Sequence, residues 1–342
     1  MLEFREVGKE ESEKVLAEGT PLPLVRLGMD MQSCATEEEM HDNFYVTLKR
    51  GYVPLNEHLY RYGGIACVVG AAPSIEKTYK ELTGDVCAIN SAIGFLIEHG
   101  VIPKWAMLWD AADIVEQFAV PHPDITYLVA SRCHPKVFER LKDCKVVVWH
   151  AGGDHDISKV LNNPEVIAKQ KYEEPLINGG SAGVTRGIFL MTALGYKEIH
   201  LFGADSSYGT QNNTHVRGSL VPEKDFLIAI GNEPPLWFRT TPEWCAQVEE
   251  YKCIYALMVS HDIKLEVHGD GMLPTMHQLL VAKRELRGHE QFMKDVAAQE
   301  EERKSLDAMA SKANAERLGE TQIMSVKEIN RLADYGVKSP RI

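Results

Sequence analysis

Two short glycine-bearing stretches each stand where an apolar run gives way to helix-forming sequence. CVVGAAPSIEK (67–77) passes from β-branched residues through Gly70 and Pro73 to Ser74, and INGGSAGVTRG (177–187) sets Gly179, Gly180 and Ser181 before an apolar helix. The first N–H groups of a helix lack partners and its dipole is positive there, so either start could hold a phosphate. Gly70 permits close ligand approach, Pro73 fixes φ where no N–H is needed, and Ser74 is a cap candidate. The dipole contributes only about 0.3–1 kcal/mol at an exposed site, so affinity needs further contacts. Neither stretch is a P-loop or a GxGxxG, since the Lys-Ser/Thr ending and the glycine spacing are both missing. Taken alone, the first reads equally as a plain strand-to-helix connection, and the second as room for close helix packing.

Polar residues at the ends of apolar runs supply the rest of a candidate site. Asn90 and Ser91 follow VCAI, Asp110 follows AMLW, and Asp205 follows HLFGA. Such positions suit base or ribose contacts, and the two acids suit catalysis or a Mg²⁺ ion held against phosphates. His215, in NNTHVRG, is a candidate acid–base or phosphate-contact residue, and Arg217 beside it a candidate for neutralising phosphate charge. Thr185 and Arg186 could add a hydroxyl and a positive charge at the second helix start. His150, His155 and Asp156 in WHAGGDHD lack a coherent metal-ligand spacing and read better as a substrate-facing or ordinary loop. Trp105, Trp109 and Trp149 sit in strand candidates and read as core, whereas Trp237 suits a lid or partner contact.

The elements that must position these residues alternate in type. Apolar runs at 65–70, 86–90, 105–110, 125–130, 145–150 and 197–205 are separated by amphipathic segments, with a last strand at IKLEVHG. This succession predicts an α/β fold, a Rossmann-like and mostly parallel sheet covered by helices. Helices are expected near 74–82, 91–99, from His134, after Gly183, and over TPEWCAQVEEYKCIYALMVSHD with Thr241 as its cap. Residues 1–62 are expected as a helical N-terminal extension, 63–282 as the nucleotide-binding and transferase domain, and 283–342 as a charged helical C-terminal extension. Within the domain, the Gly-, Asn- and Pro-rich stretch 206–240 is expected to form loops or a lid.

A net charge of -12 over 342 residues argues against a broad nucleic-acid surface and favours a small-molecule substrate or a protein partner. Seven cysteines without a CxxC pair suggest a reducing compartment, and no apolar run is long enough to span a membrane. A cytoplasmic location is therefore expected. The charge-dense segment 283–342 is read as a surface for self-association or a protein partner.

Three blocks taken together, VVGAAPSIEK, AINSAIGFLIEHGVIPKWAMLWD and INGGSAGVTRGIFLMTALGYKEIHLFGAD, resemble the 6-hydroxymethylpterin pyrophosphokinase MptE-like family. This group was first known as a domain of unknown function, and it includes domains of flagellin-glycosylation motility accessory factors. The resemblance covers roughly residues 63–210. It implies a Rossmann-like domain related to bacterial sialyltransferases. It carries the family's Gly-x-x-Pro-Ser onto Gly70, Pro73 and Ser74, its Asn-Ser onto Asn90 and Ser91, and its strand-end acid onto Asp110. The Gly-Gly-Ser element falls on Gly179, Gly180 and Ser181, and the later Gly-x-Asp on Gly203 and Asp205. Ala71 stands where the family pattern carries another small polar residue or glycine. The implied activity is a nucleotide-dependent transferase, foremost a diphosphokinase passing diphosphate from ATP to a hydroxyl acceptor with Mg²⁺. The alternatives are a CMP-sugar-dependent glycosyltransferase and a non-catalytic bacteriophage structural protein that keeps the scaffold. A phage-encoded member would work in the host cytoplasm or belong to the virion.

Overall fold

Five near-continuous apolar stretches build the middle of the molecule, because a strand buried on both faces has no polar side to show. The computed structural model describes residues 5–6, 35–152, 174–209, 213–216, 225–230 and 236–288, with single positions at 291, 294, 298 and 301. In chain order the strands are β1 (Arg5–Glu6), β2 (Val53–Pro54), β3 (Ile65–Val69), β4 (Asp85–Ile89), β5 (Trp105–Leu108) and β6 (Thr126–Ala130). They continue with β7 (Lys145–Ala151), β8 (Leu176–Ile177), β9 (Glu198–Phe202), β10 (Phe226–Ile230), β11 (Leu236–Thr240) and β12 (Lys264–Val267). The helices are α1 (Glu37–Arg50), α2 (Ile75–Thr78), α3 (Ala92–Glu98), α4 (Pro135–Arg140), α5 (Gly183–Leu194), α6 (Pro242–Ser260) and α7 (Met272–Arg287). The chain divides into two units, 1–283 and 284–342, and the site lies in the first.

The main sheet runs β12-β9-β3-β4-β5-β6-β7-β2, with β8 also on β7, and every pairing in it is parallel. The fold is a Rossmann-like α/β fold. From β3 the chain steps outward through β4, β5, β6 and β7, then returns to place β9 on the other side of β3. Strand order therefore reverses between β3 and β9. Open α/β sheets take their ligands in the crevice beyond the carboxyl ends at such a reversal.

Helix starts follow local chemistry. Thr36 and Glu39 form a reciprocal capping box at α1, with the Glu39 N–H on Thr36 Oγ1 at 3.2 Å and the Thr36 N–H on Glu39 Oε2 at 2.8 Å. Thr241 accepts the Trp244 N–H at 3.4 Å, the cap expected from sequence, with Pro242 in the first turn. Gly195 ends α5 in the left-handed region at φ 112.

Three expectations give way here. The helix foreseen over 74–82 is a single α turn followed by a 3-10 turn at Tyr79–Glu81. The stretch 206–240 is not loop throughout, because FLIAI and LWFRT pair antiparallel as β10 and β11, with β1 on the free side of β10. From residue 35 the N-terminal segment is built into the domain, since Val53 and Pro54 pair with Val147 and Val148 at the sheet edge. Most of 1–34 and most of 283–342 lie outside the described residues, and so do the expectations placed on them.

Trp105 and Trp149 fill the core as expected. The Trp105 indole N–H reaches Tyr196 Oη at 3.1 Å, and that hydroxyl donates to Asp85 at 2.5 Å. Trp237 is half-buried in β11.

One buried histidine ties α6 to α7. His277 is 3% exposed, its Nδ1 lies 2.8 Å from Tyr251 Oη, and burial lowers its pKa from 6.5 to about 4. The folded state thus keeps it neutral while the unfolded chain protonates it below about 6.5. Stability should fall as pH drops from 6.5 towards 4, by up to about 3 kcal/mol. Chemical denaturation of His277→Gln across that range should show a flatter pH profile than the parent; identical profiles would count against this histidine.

Candidate active site at the switch point

The carboxyl ends of β3 and β9 meet at two glycines. The Gly70 N–H donates to Phe202 O at 2.8 Å and the Ala72 N–H to Gly203 O at 3.1 Å, so the turns after the two strands are laced together. A Cβ on Gly70 would run into Gly203 O, and one on Gly203 into Gly70 O. Gly203 also lies in the left-handed region at φ 56. The glycines therefore set how close the two turns come, which fixes the floor of the crevice.

Above this floor is a cavity of 170 Å³. Gly70, Asn90, Ser91, Asp205 and His215 all line it, from four separate stretches of chain. The start of α5 completes the wall with Ala182, Gly183 and Val184. Ala182 occupies the N-cap and offers no side-chain acceptor to the first-turn N–H groups, while its own N–H is taken by Thr185 Oγ1 at 3.1 Å. Gly183 is small because Ile89 Cγ2 stands 2.8 Å from where its Cβ would be, and Gly187 is held the same way by Val68 Cγ1 at 2.7 Å. Close packing of α5 on β3 and β4 is what aims its amino end into the crevice.

Asn90 is the most distinctive wall residue. Its backbone is left-handed at φ 47, a conformation asparagine tolerates better than most residues. Its Nδ2 donates to Asp110 Oδ2 at 2.7 Å, while its Oδ1 is buried without a hydrogen-bond partner. An unanswered buried acceptor costs free energy that a donor on a ligand would recover. Asp110 is not among the lining residues and joins the site through Asn90.

Asp205 has a different part from the one expected. It is 3% exposed, its Oδ2 accepts the Ser74 N–H at 2.9 Å, and its Oδ1 accepts the Ser74 hydroxyl. Burial raises its pKa above 3.8, against the two Ser74 hydrogen bonds that lower it. Ser74 accordingly faces Asp205 and makes no cap hydrogen bond at α2. Gly269 and Gly271 make room for this pair, since a Cβ at 269 would stand 2.7 Å from Ser74 Oγ and one at 271 would stand 2.5 Å from Asp205 Cβ.

The sign of the Asp205 contribution follows from that raised pKa. The folded state holds the proton to higher pH than the unfolded chain, so stability declines as pH rises from 3.8 through the folded value. Asp205→Asn should remove this decline and keep the fold, because an amide can accept from the Ser74 N–H and donate to its hydroxyl. Asp205→Ala strands two buried donors and should cost roughly 2–4 kcal/mol in denaturant titrations. Equal stability of the two variants would refute the pairing.

These contacts bear on magnesium. A Mg²⁺ site draws on several oxygens in octahedral array. Asp205 spends both its oxygens on Ser74, and among the described residues no three His, Cys, Asp or Glu side chains converge as metal ligands. Asp110, bonded to Asn90, is absent from the cavity wall, so the two acids do not both line the cavity.

The second glycine cluster also serves the fold. Gly179 and Gly180 have φ 85 and 80, and a Cβ on either would meet Phe189 or the Thr185–Arg186 backbone. The Ser181 N–H and hydroxyl both donate to Glu250 Oε2, at 2.8 and 2.7 Å. Gly179, Gly180 and Ser181, like Pro73 and Ser74, are absent from the cavity wall. What reaches the cavity is the next turn, Ala182 to Val184. Arg186 is 8% exposed and donates to Ile177 O at 2.5 Å, so it anchors β8 and faces no solvent phosphate.

His215 is delivered by a backbone bond, the Val216 N–H to Ala71 O at 2.9 Å, which docks 213–216 on the turn after β3. Its Nδ1 lies 3.1 Å from Thr214 Oγ1, and burial lowers its pKa below 6.5. Sequence reasoning missed Ser206, Ser207, Thr214, Trp244 and Gln247, which also line the cavity. A signal for Ser206 and Ser207 was present in Gly203-Ala-Asp-Ser-Ser207, a small-residue turn directly after β9.

His150 is not part of a surface loop. It lies in β7 at 1% exposure, with Nδ1 2.8 Å from Ser131 Oγ and Nε2 2.7 Å from Glu174 Oε2, and Tyr52 Oη donates to Glu174 at 3.1 Å. Ser131 is fully buried, so this line of polar groups braces the ends of β6 and β7. His155, Asp156 and Arg217 lie outside the described residues.

The sequence profile of the family described as 6-hydroxymethylpterin diphosphokinase MptE-like matches residues 39–211. That span is half of the chain and contains the strand reversal. The chain belongs to the MptE-like family. A MAf glycosyltransferase from Magnetospirillum magneticum AMB-1 shares the fold at 16% identity and TM-score 0.51, over 78% of this chain and 44% of that one. This MptE-like chain thus spans less than half the length of that glycosyltransferase. A mammalian sialyltransferase aligns at 12% identity and TM-score 0.36, over 79% and 90% of the two chains. A thiamin pyrophosphokinase from Geobacillus thermodenitrificans aligns at 14% identity and TM-score 0.24, over 60% of each. No curated protein matches the chain. Among the described residues no helix is long and apolar enough to cross a membrane.

Proposed function

We propose that this MptE-like chain is a nucleotide-dependent transferase whose switch-point cavity holds the phosphates of ATP and passes diphosphate to a hydroxyl acceptor. The observation that carries this reading is the convergence, on one cavity, of the first turn of α5, the Asn90 acceptor and His215. A volume of 170 Å³ is below the roughly 300–1,000 Å³ of whole-ligand sites, and suits a phosphate end with the nucleoside lying along the open crevice. Asn90 Oδ1 would accept from a donor on the nucleoside or on a phosphate-bound water.

In the reaction, the acceptor hydroxyl gives its proton to neutral His215 and its oxygen attacks the β-phosphorus of ATP. The bond from that phosphorus to the oxygen bridging the α-phosphate breaks, and AMP leaves with the electron pair. The α5 amides answer the charge that develops on the phosphoryl oxygens. Magnesium belongs to the substrate here, arriving on the nucleotide's own phosphates.

A second reading is transfer from a CMP-sugar, in keeping with the fold shared with the MAf glycosyltransferase. Products separate the two. The purified full chain should be incubated with ATP, GTP, CTP or CMP-sugars and hydroxyl acceptors, with and without Mg²⁺. AMP formed from ATP supports diphosphate transfer, and CMP release supports glycosyl transfer. No product, and no rise in melting temperature with any nucleotide, would refute the transferase reading and leave a non-catalytic scaffold.

A further inference from the structure

At the amino ends of β6 and β7, the opposite side of the sheet from the glycine pair, a second cavity of 660 Å³ lies against the β7 edge. It shares no lining residue with the switch-point cavity. Its floor is apolar, made by Val53 of β2, Phe138 of α4, Leu141 after it, and Val147 of β7. Val53 is 41% exposed, because the two-residue strand that carries it closes the sheet edge without covering it.

The mouth has the opposite character. Arg50, Lys142 and Lys145 line it, and no aspartate or glutamate does. Arg50 is partly answered already, paired with Glu139 at 2.6 Å and lying 5.3 Å from the Phe138 ring. Lys142 and Lys145 are exposed and make no ion pair among the described residues, and the neighbouring Asp143 is exposed but not part of the wall. In a chain of net charge -12, a wall with three cations and no acid is the reverse of the average surface. Its volume falls within the roughly 300–1,000 Å³ of small-molecule sites.

We propose that this cavity binds a small amphipathic organic acid, with its hydrocarbon body on Val53, Phe138, Leu141 and Val147 and its carboxylate between Lys142 and Lys145. The apolar floor supplies affinity by removing hydrocarbon from water, and the lysines select the anion over a neutral analogue. Being separate from the switch point, the site can be filled together with a nucleotide.

Octanoate is the probe, with 1-octanol as its neutral counterpart, titrated calorimetrically into the full chain. Octanoate should saturate one site, and both 1-octanol on the parent and octanoate on Lys142→Glu/Lys145→Glu should bind about tenfold or more weakly. Both lysines are exposed, so the double variant should melt with the parent. Octanoate should also slow iodoacetamide alkylation of Cys144, which lines the cavity, and leave Cys253 unaffected. Undiminished binding to the double variant, equal binding of 1-octanol, lack of saturable octanoate binding, or protection confined to Cys253 would each overturn the proposal.

Discussion

Gly203→Ala is expected to lower the melting temperature by roughly 5–8 °C. Two costs combine. Alanine must adopt the left-handed φ of 56, and its Cβ must displace Gly70 O while standing 3.1 Å from Ile75 Cβ. The Gly70 carbonyl cannot easily swing away, because the adjacent backbone is pinned by the Gly70 N–H on Phe202 O and the Ala72 N–H on Gly203 O. Strained φ and overpacking together come to about 3–5 kcal/mol. Gly63→Ala is the matched control, since nothing lies within 4 Å of its Cβ position and its φ is ordinary. Thermal melts of the two variants decide it: if Gly203→Ala melts with Gly63→Ala, the glycine pair does not set the approach of the two turns.

That pair also shows where sequence reasoning succeeds and where it stops. VVG and LFGAD each announce a strand ending in a glycine, because buried parallel strands are apolar throughout and the period is unmistakable. Nothing local says that Gly70 and Gly203 touch. Their contact depends on β9 returning to the side of β3 away from β4, a fact of topology across more than a hundred residues. Asp205 illustrates the same limit. Its type and strand-end position suit a metal ligand, yet Ser74, 131 residues earlier, takes both oxygens. The glycines at 179 and 180 mark a phosphate-binding start by composition, but their left-handed angles let the chain fold onto α5, and the cavity receives Ala182 to Val184 instead. The hairpin of β10 and β11 was obscured because Gly, Asn and Pro on either side dominate the window, although FLIAI alone is a good strand. His215 is legible as a polar residue in a loop, but not its placement over the turn at Ala71, which the Val216 N–H to Ala71 O bond sets.

His215→Ala should reduce kcat for transfer by about a hundredfold or more, with the fold intact. The imidazole lines the cavity and burial holds its pKa below 6.5, so at neutral pH it is unprotonated and ready to accept the acceptor's proton. The parent rate should therefore rise with pH through a value below 6.5 and level off by neutrality. The alanine variant should lose that limb as well as the rate. A residue that only contacted ground-state phosphate would behave otherwise, raising KM and leaving the shape of the pH profile unchanged. A stability loss should not confound the result, because the backbone bonds from Val216 to Ala71 and from Gly209 to Asn213 are kept by the substitution. His215→Gln sharpens the test by retaining polarity without a group that titrates near neutrality. If His215→Gln keeps both the parent rate and its acid limb, proton transfer belongs to another group, and the base must be sought among the other polar residues around the cavity.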